Sequence, residues 1–368
     1  MIQAQYYYDI YLFLVTILTI VAANTFSKSI GTVIVESQKF GIDIRAVFLV
    51  ILLSLFIGFR PISGMYFGDT GNYNYMYQSL EGLPYVYDPT AENKIWDNLF
   101  DLWASESFGI SNLFVLVAFI YFVCTWLACR KFYGQDQYIA FLVFLGSFST
   151  FSYSTNGIKA GAAAAIFLLG LSYYKQLIIA IPLILISWGF HHSMVLPIAA
   201  FVCAYLYRKP KVYFYVWIIC ILISALHITY FQSLFASMAE DQGDISGVGY
   251  LTSSSDDEWG GKSGFRLDFV LYSAMPVLVG YYTIFKKRLK LSNTYKMLLN
   301  TYMITNSVWM LCMYAQFSNR IAYLSWFIYP IVLIYPFLKE NWGATRYRVA
   351  SKVVLVNLAF TLFMHFIY

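Results

Sequence analysis

Charge is scarce in this chain. Of its 368 residues only 12% are charged and 60% are hydrophobic, with a mean hydropathy of +0.62. A soluble domain carries about a quarter of its residues as charges, so the composition excludes an ordinary water-soluble fold and points to an integral membrane protein. Cysteine is sparse as well: Cys124, Cys129, Cys203, Cys220 and Cys312 all fall inside apolar runs. They read as small core residues, which excludes a disulfide framework and a thiolate zinc site. Four histidines are present, and no HExxH spacing joins them; no metal and no cofactor is called for. A Gly-rich P-loop, a Rossmann fingerprint and a nucleophile elbow are all missing, which argues against ATP-driven transport and against a serine hydrolase. No heptad run, internal repeat or low-complexity segment appears. The opening MIQAQYYYDIYLFLV lacks the basic region and small-residue cleavage site of a signal peptide, so the first apolar run is expected to stay as a membrane anchor.

What the chain has in abundance is apolar sequence of helical length. Runs broken at charges, glycine or proline predict about twelve transmembrane helices, near 7–25, 45–59, 111–129, 137–153, 158–174, 177–190, 193–207, 212–236, 266–285, 295–314, 321–338 and 352–367. The expected fold class is therefore all-α, a polytopic membrane protein forming one integral membrane domain over 1–368. The intervals between runs alternate in charge. Those at 26–45, 130–136, 175–176, 208–211, 286–296 and 339–352 hold 18 of the 24 basic residues, which places them on the cytoplasmic side by the positive-inside rule. The other six, Arg60, Lys94, Lys159, Lys262, Arg266 and Arg320, lie at or near the opposite face with 15 of the 19 acidic residues. Two long external loops follow. The first, 60–110, includes ENKIWDNLFDLWASESFG, where Ile95, Leu99, Leu102 and Trp103 recur at helical spacing and predict an amphipathic surface helix anchored by Trp96 and Trp103. The second, 237–264, is rich in glycine and acid and reads as a mobile loop.

Residues able to do chemistry gather at the external level. The stretch Arg60–Tyr73, RPISGMYFGDTGNY, places an arginine, three glycines and an aspartate directly after an apolar run. Arg60 reads either as a side chain reaching for headgroups or as a phosphate clamp, since a guanidinium offers phosphate a two-pronged fork. Arg320, in SNRIAY at a helix start, carries the same two readings, with a helix dipole added. Lys159 opens a run whose first turns are Gly161 and alanines, a surface that lets a helix or a lipid tail come close. Arg266 is a third candidate cation, which the nearby Asp268 could neutralise. Asp69 sits between Gly68 and Gly71, either as a turn cap or as a general base for a sugar hydroxyl. His191 and His192, in Phe190–Ser193 (FHHS), read as structural hydrogen-bonding residues or as catalytic or phosphate-contacting ones; adjacent positions on a helix chelate metals poorly.

Taken in order, these motifs resemble the EpsG-type branch of the Wzy polysaccharide polymerases, the O-antigen, capsule and exopolysaccharide polymerases. The resemblance rests on Arg60 after the second run, on Gly68, Asp69, Thr70 and Tyr73, and on Glu92 opening ENKIWDNLF. It continues with FHHS at 190–193 and with Arg320, Ile321 and Tyr323 at a late helix start. One departure stands out: where the family tends to have Ile-Arg-Gln, this chain has Ile158, Lys159 and Ala160, which keeps the charge and loses the fork. The resemblance implies a GT-C-like glycosyltransferase working at the periplasmic, outer face of the bacterial inner membrane. It would move a growing glycan from undecaprenyl diphosphate onto a new lipid-linked repeat unit. Donor and acceptor glycans, the bilayer and a chain-length regulator protein are then the implied partners, with no nucleic acid.

In that reaction the acceptor hydroxyl attacks the anomeric carbon opposite the diphosphate and inverts it. A base is needed near the hydroxyl and positive charge near the departing phosphate. Asp69, His191 and His192 are the candidates for the first, and Arg60, Lys159, Arg266 and Arg320 for the second, with Glu92 and Tyr73 as further substrate contacts. A ligase would share the donor chemistry. A flippase predicts charges at mid-bilayer and internal repeats, neither of which the sequence shows; an O-acyltransferase would place its histidine deep in the membrane.

Overall fold

The computed structural model describes residues 2–29, 41–241, 264–315 and 318–367. Among them the secondary structure is helical, with no strand. In chain order the helices are α1 (Tyr7–Ser27), α2 (Ile44–Gly58), α3 (Gly64–Phe67), α4 (Thr70–Leu80), α5 (Lys94–Ser105), α6 (Ile110–Tyr133), α7 (Gln137–Leu145), α8 (Phe148–Thr155) and α9 (Ile158–Ser172). They continue with α10 (Leu177–Phe190), α11 (Val195–Leu206), α12 (Pro210–Ala225), α13 (Tyr230–Asp241), α14 (Leu267–Tyr281), α15 (Asn293–Leu311), α16 (Ser318–Trp326), α17 (Tyr329–Lys339) and α18 (Arg346–Ile367).

Among the described residues five helical stretches are long and apolar enough to cross a bilayer: Ala4–Ser27, Ile110–Leu145, Leu267–Lys286, Ser318–Lys339 and Arg346–Ile367. Five shorter apolar helices accompany them, Ile44–Gly58, Ile158–Ser172, Leu177–Phe190, His192–Leu206 and Pro210–Ala225. The expectation of about twelve spans is met in part, by these five stretches. The short helices fall under the ~20 residues a bilayer requires, and two expected spans are broken. The run 137–153 divides into α7 and α8 at Gly146 and Ser147, where carbonyl oxygens are freed from the helical ladder. Side chains from distant helices take them up. Tyr11 donates to Leu145 O at 2.7 Å, Thr361 to Gly146 O at 2.8 Å and Asn357 to Val143 O at 3.3 Å. In an apolar setting such a break persists only when its backbone groups find partners of this kind. The run 212–236 likewise ends early and restarts as α13, with His227 at a left-handed φ of 57° between the two helices. The loop expected over 237–264 lies mostly outside the described residues, and its first residues, 237–241, close α13.

The chain contacts cluster into two units, Met1–Val195 with Phe337–Tyr368, and Leu196–Pro336. In the first, α2 packs on α6, α6 on α9 and α9 on α10, while α1 lies along α18. The alanine run of α9 serves this packing, since Ala162, Ala163, Ala164 and Ala165 are buried to 2% exposure or less inside the unit; it meets helices, as one of its two readings expected. In the second unit α12 packs on α15 and α15 on α16. Its core is joined by polar groups around Asn306, whose Oδ1 accepts from Trp217 Nε1 at 2.8 Å and whose Nδ2 donates to Ser273 and Ser325 hydroxyls at 3.1 and 3.0 Å.

Candidate functional site

The segment after α2 folds back on the first unit through one buried cation. Arg60 is 2% exposed. Its guanidinium donates to Ile57 O at 2.9 Å, to Thr155 O at 2.8 Å and to Thr70 Oγ1 at 3.4 Å, and lies over the rings of Phe114 and Phe67 at 4.5 and 5.8 Å. Burial lowers the guanidinium to about 10, against the weaker opposing effects of Tyr7 and Tyr73. Carbonyl oxygens and ring faces surround the charge, and the side chain stays cationic at neutral pH. The fork that the sequence reading offered to phosphate grips protein here. It ties the end of α2 to the start of α4 and the end of α8.

That tie sets the next turn. Gly68 has a φ of 51°, a left-handed conformation that side-chain-bearing residues avoid, and a Cβ there would overlap the Asn156 side chain. The close approach lets Asn156 Oδ1 accept from the Asp69 backbone N–H at 2.9 Å. Asp69 stands at the cap position of α4, yet its carboxylate makes no cap hydrogen bond; it is half-buried. One turn on, Tyr73 packs its ring against Trp96 at 5.8 Å and Phe100 at 6.1 Å, and Trp96 in turn meets Phe190 at 6.4 Å. An aromatic layer thus runs from α4 through α5 to the residue before the histidines.

The expected amphipathic helix exists as α5, but its buried face is not the expected one. Trp96, Asn98, Phe100 and Ala104 are buried, while Ile95 and Leu102 are 37% and 38% exposed. Apolar residues occur on both faces of this helix, and α4 and α10 choose between them by packing against it. Trp96 therefore sits in the protein, not at a lipid boundary. Where α5 passes α10, Gly189 leaves no Cβ to collide with Ile95, whose Cδ1 would lie 2.6 Å from one.

This approach brings Glu92 and Asn93, just ahead of α5, against the histidines at the end of α10. His192 Nδ1 lies 3.3 Å from Glu92 Oε1 and 3.2 Å from Asn93 Oδ1, and Asn93 Oδ1 also accepts the His192 backbone N–H at 3.0 Å. His191 Nδ1 accepts the Ser193 backbone N–H at 3.2 Å and lies 2.8 Å from the Ser193 hydroxyl. The two rings are 5.1 Å apart between centroids, with planes at 35°. Asn93 is the residue that sequence reasoning missed. Asparagine ahead of a helix reads as an N-cap, and replacing such a cap costs ~1 kcal/mol. Here the side chain makes no cap bond, is 1% exposed and serves a ring 99 residues away.

The remaining candidates are placed as follows. Lys159 is half-buried in the first turn of α9, a helix that contacts the turn His192–Met194 within the same unit. Arg266 and Arg320 belong to the second unit. Arg266 forms a two-pronged pair with Asp268, Nε to Oδ1 at 3.0 Å and Nη2 to Oδ2 at 2.7 Å, over the Phe269 ring at 3.7 Å, so the neutralised reading describes its geometry. Arg320 is exposed in the first turn of α16. Among the described residues no group of three or more His, Cys, Asp or Glu side chains is arranged to hold a metal ion.

Comparison with curated proteins and with solved structures gives no match. A model of the EpsG family, by contrast, matches residues 44–368. The matched region takes in Arg60, the Gly68–Tyr73 turn, Glu92, both histidines and Arg320, and on that match the protein belongs to the EpsG family.

Proposed function

We propose that the protein is an inverting glycosyltransferase that polymerises undecaprenyl-diphosphate-linked oligosaccharide repeat units into a surface polysaccharide. Membership of the EpsG family supports a polymerase-type activity in polysaccharide biosynthesis, and the long apolar helices support a membrane protein. The carrier, the inversion, a GT-C-like arrangement with about twelve passes, and the periplasmic face of the inner membrane are our reading. That reading of the side rests on the sequence, where the basic residues concentrate in alternate intervals.

One observation carries the catalytic part: Glu92 and His192, a hundred positions apart in the chain, meet within hydrogen-bonding distance. A carboxylate against an imidazole is a means of taking up a proton and stabilising the cation that results. Asp69 stands in the same unit, on the helix that shares the aromatic layer, and the aromatic rings suit the faces of sugars. Lys159, at the N-terminus of the helix that contacts the histidine turn, is the cation we assign to phosphate in this unit. Arg60 acts through position, holding the Asp69 turn. Arg266 and Arg320 are proposed as phosphate contacts on the sequence alone.

The test is to incubate the purified protein in detergent or nanodiscs with a defined undecaprenyl-diphosphate repeat unit. Multimers together with released carrier are expected. Transfer to a different lipid core without multimers would identify a ligase, and movement of the unit across a vesicle bilayer without bond making a flippase; either result overturns the polymerase reading.

A further inference from the structure

The two histidines differ in what their Nδ1 atoms face, and the difference can be read from backbone groups alone. A backbone N–H can only donate. Because Ser193 N–H points at His191 Nδ1, that nitrogen carries a lone pair, and in a neutral ring the proton sits on Nε2. The Ser193 hydroxyl at 2.8 Å donates to the same lone pair. At His192 the logic reverses. Asn93 Oδ1 accepts the His192 backbone N–H at 3.0 Å, which fixes that atom as the oxygen of the amide and removes the usual ambiguity of amide orientation. The same oxygen faces His192 Nδ1 at 3.2 Å, and Glu92 Oε1 faces it at 3.3 Å. With oxygen acceptors on that side, Nδ1 carries the proton and Nε2 the lone pair.

We infer that the adjacent histidines are held in opposite tautomers and divide the work of the site: His192 accepts a proton at Nε2, His191 donates a hydrogen bond from Nε2, and Asn93 is the positioning residue that sets His192. This deepens the glycosyl-transfer reading and rests on it. In the step, the acceptor hydroxyl oxygen bonds to the anomeric carbon as the carbon–oxygen bond to diphosphate breaks and its electron pair leaves with the diphosphate. The hydroxyl proton passes to His192 Nε2. The resulting imidazolium faces the Glu92 carboxylate, which stabilises it, and it later returns its proton to water. His191 keeps its proton throughout and donates to a diphosphate oxygen as charge grows there. The arrangement explains why Asn93 is buried at 1% exposure without capping its own helix. Its own backbone N–H is met by Asp97 Oδ2 at 2.9 Å.

The experiment is nitrogen NMR of the full-length protein labelled at histidine. With four histidines in the chain, His227→Gln and His365→Gln assign the remaining signals to the pair. Expected are a pyridine-type Nδ1 and protonated Nε2 for His191, and the reverse for His192. Both rings in one tautomer, or a pyridine-type Nδ1 at His192, would overturn the inference. Asn93→Leu is expected to mix the His192 tautomers, leave His191 unchanged and slow transfer on the order of 10–100-fold, as loss of ring-orienting partners does elsewhere. Asn93→Asp, which keeps the acceptor oxygen, is expected to restore the His192 signals and serves if the leucine variant does not fold. Unchanged His192 signals and rate in Asn93→Leu would remove Asn93 from the mechanism. The spectra do not depend on turnover, so opposite tautomers in a protein that makes no polymer would sink the polymerase reading and leave the tautomer assignment standing.

Discussion

The guanidinium of Arg60 donates to the carbonyl oxygen of Thr155, 95 residues further along the chain, at 2.8 Å. The end of one helix is thereby pinned to the end of another by a buried charge, and the consequence is mechanical. Arg60→Ala leaves the Ile57 and Thr155 acceptors without their donor and opens a cavity beside Phe114. Losing buried charge-assisted bonds of this kind costs about 3–5 kcal/mol, so a clear fall in melting temperature is expected. Arg60→Lys, which keeps the charge and loses the fork, is expected to fall nearly as far. An Arg60→Ala protein that melts normally yet makes no polymer would show a direct phosphate contact instead.

Glu92 calls for a different signature. Its side chain is 46% exposed, so Glu92→Gln is expected to leave expression and melting unchanged. Glutamine still offers an oxygen to His192 Nδ1 but no charge for an imidazolium. Transfer is expected to slow on the order of 10–100-fold, measured on the defined lipid-linked donor; a rate equal to wild type would detach Glu92 from the proton transfer.

Substituting Gly68 tests the turn that presents Asp69. Gly68→Ala forces a Cβ into a left-handed position against Asn156. A cost of about 1–2 kcal/mol for the backbone alone is expected, with further loss as Asn156 releases the Asp69 N–H. The readouts are melting temperature and polymer yield. A neutral result in both would mean that the turn does not set Asp69.

In the second unit, Arg266 and Asp268 can be separated by a double-mutant cycle. Either single alanine is expected to destabilise by about 1–2 kcal/mol, because the Arg266 side chain is only 12% exposed and loses its charge partner. The double variant is expected to be less destabilised than the sum of the two. Strict additivity in denaturation would show that the pair does not couple.

Sidedness is checked by labelling single cysteines placed next to Asp69 and next to Lys287, after replacing the exposed Cys203. Membrane-impermeant reagent is expected to reach the two positions from opposite faces. Labelling from one face would overturn the topology drawn from the basic intervals.

How much of this was legible in the sequence depends on whether a feature is local. The starts of α2 and α9 and the ends of α10 follow from runs of apolar residues and the charges that stop them. The break between α7 and α8 does not, because Gly146 and Ser147 sit inside a run that stays apolar, and the groups that satisfy the freed carbonyls come from Tyr11, Asn357 and Thr361. For α5 the helix was readable but its inner face was not. With Ile95, Leu99 and Leu102 on one strip and Trp96, Phe100 and Ala104 on the next, periodicity offers two solutions, and α4 and α10 decide for Trp96 and Phe100. At the site, His191, His192, Asp69 and Glu92 were recognisable by residue type. Asn93 was hidden by its ordinary local reading as a cap, since its partner lies 99 residues away.

Gly189 gives the arrangement an unexpected control point. It stands two residues before His191, on the strip of α10 that α5 rests against, and its bare backbone is what allows Ile95 to sit so close. A methyl added there would meet Ile95 Cδ1 and Cγ1, so the Ile95 side chain would have to turn aside to admit it. The fit of α5 beside the histidine turn therefore depends on a position that carries no functional group at all.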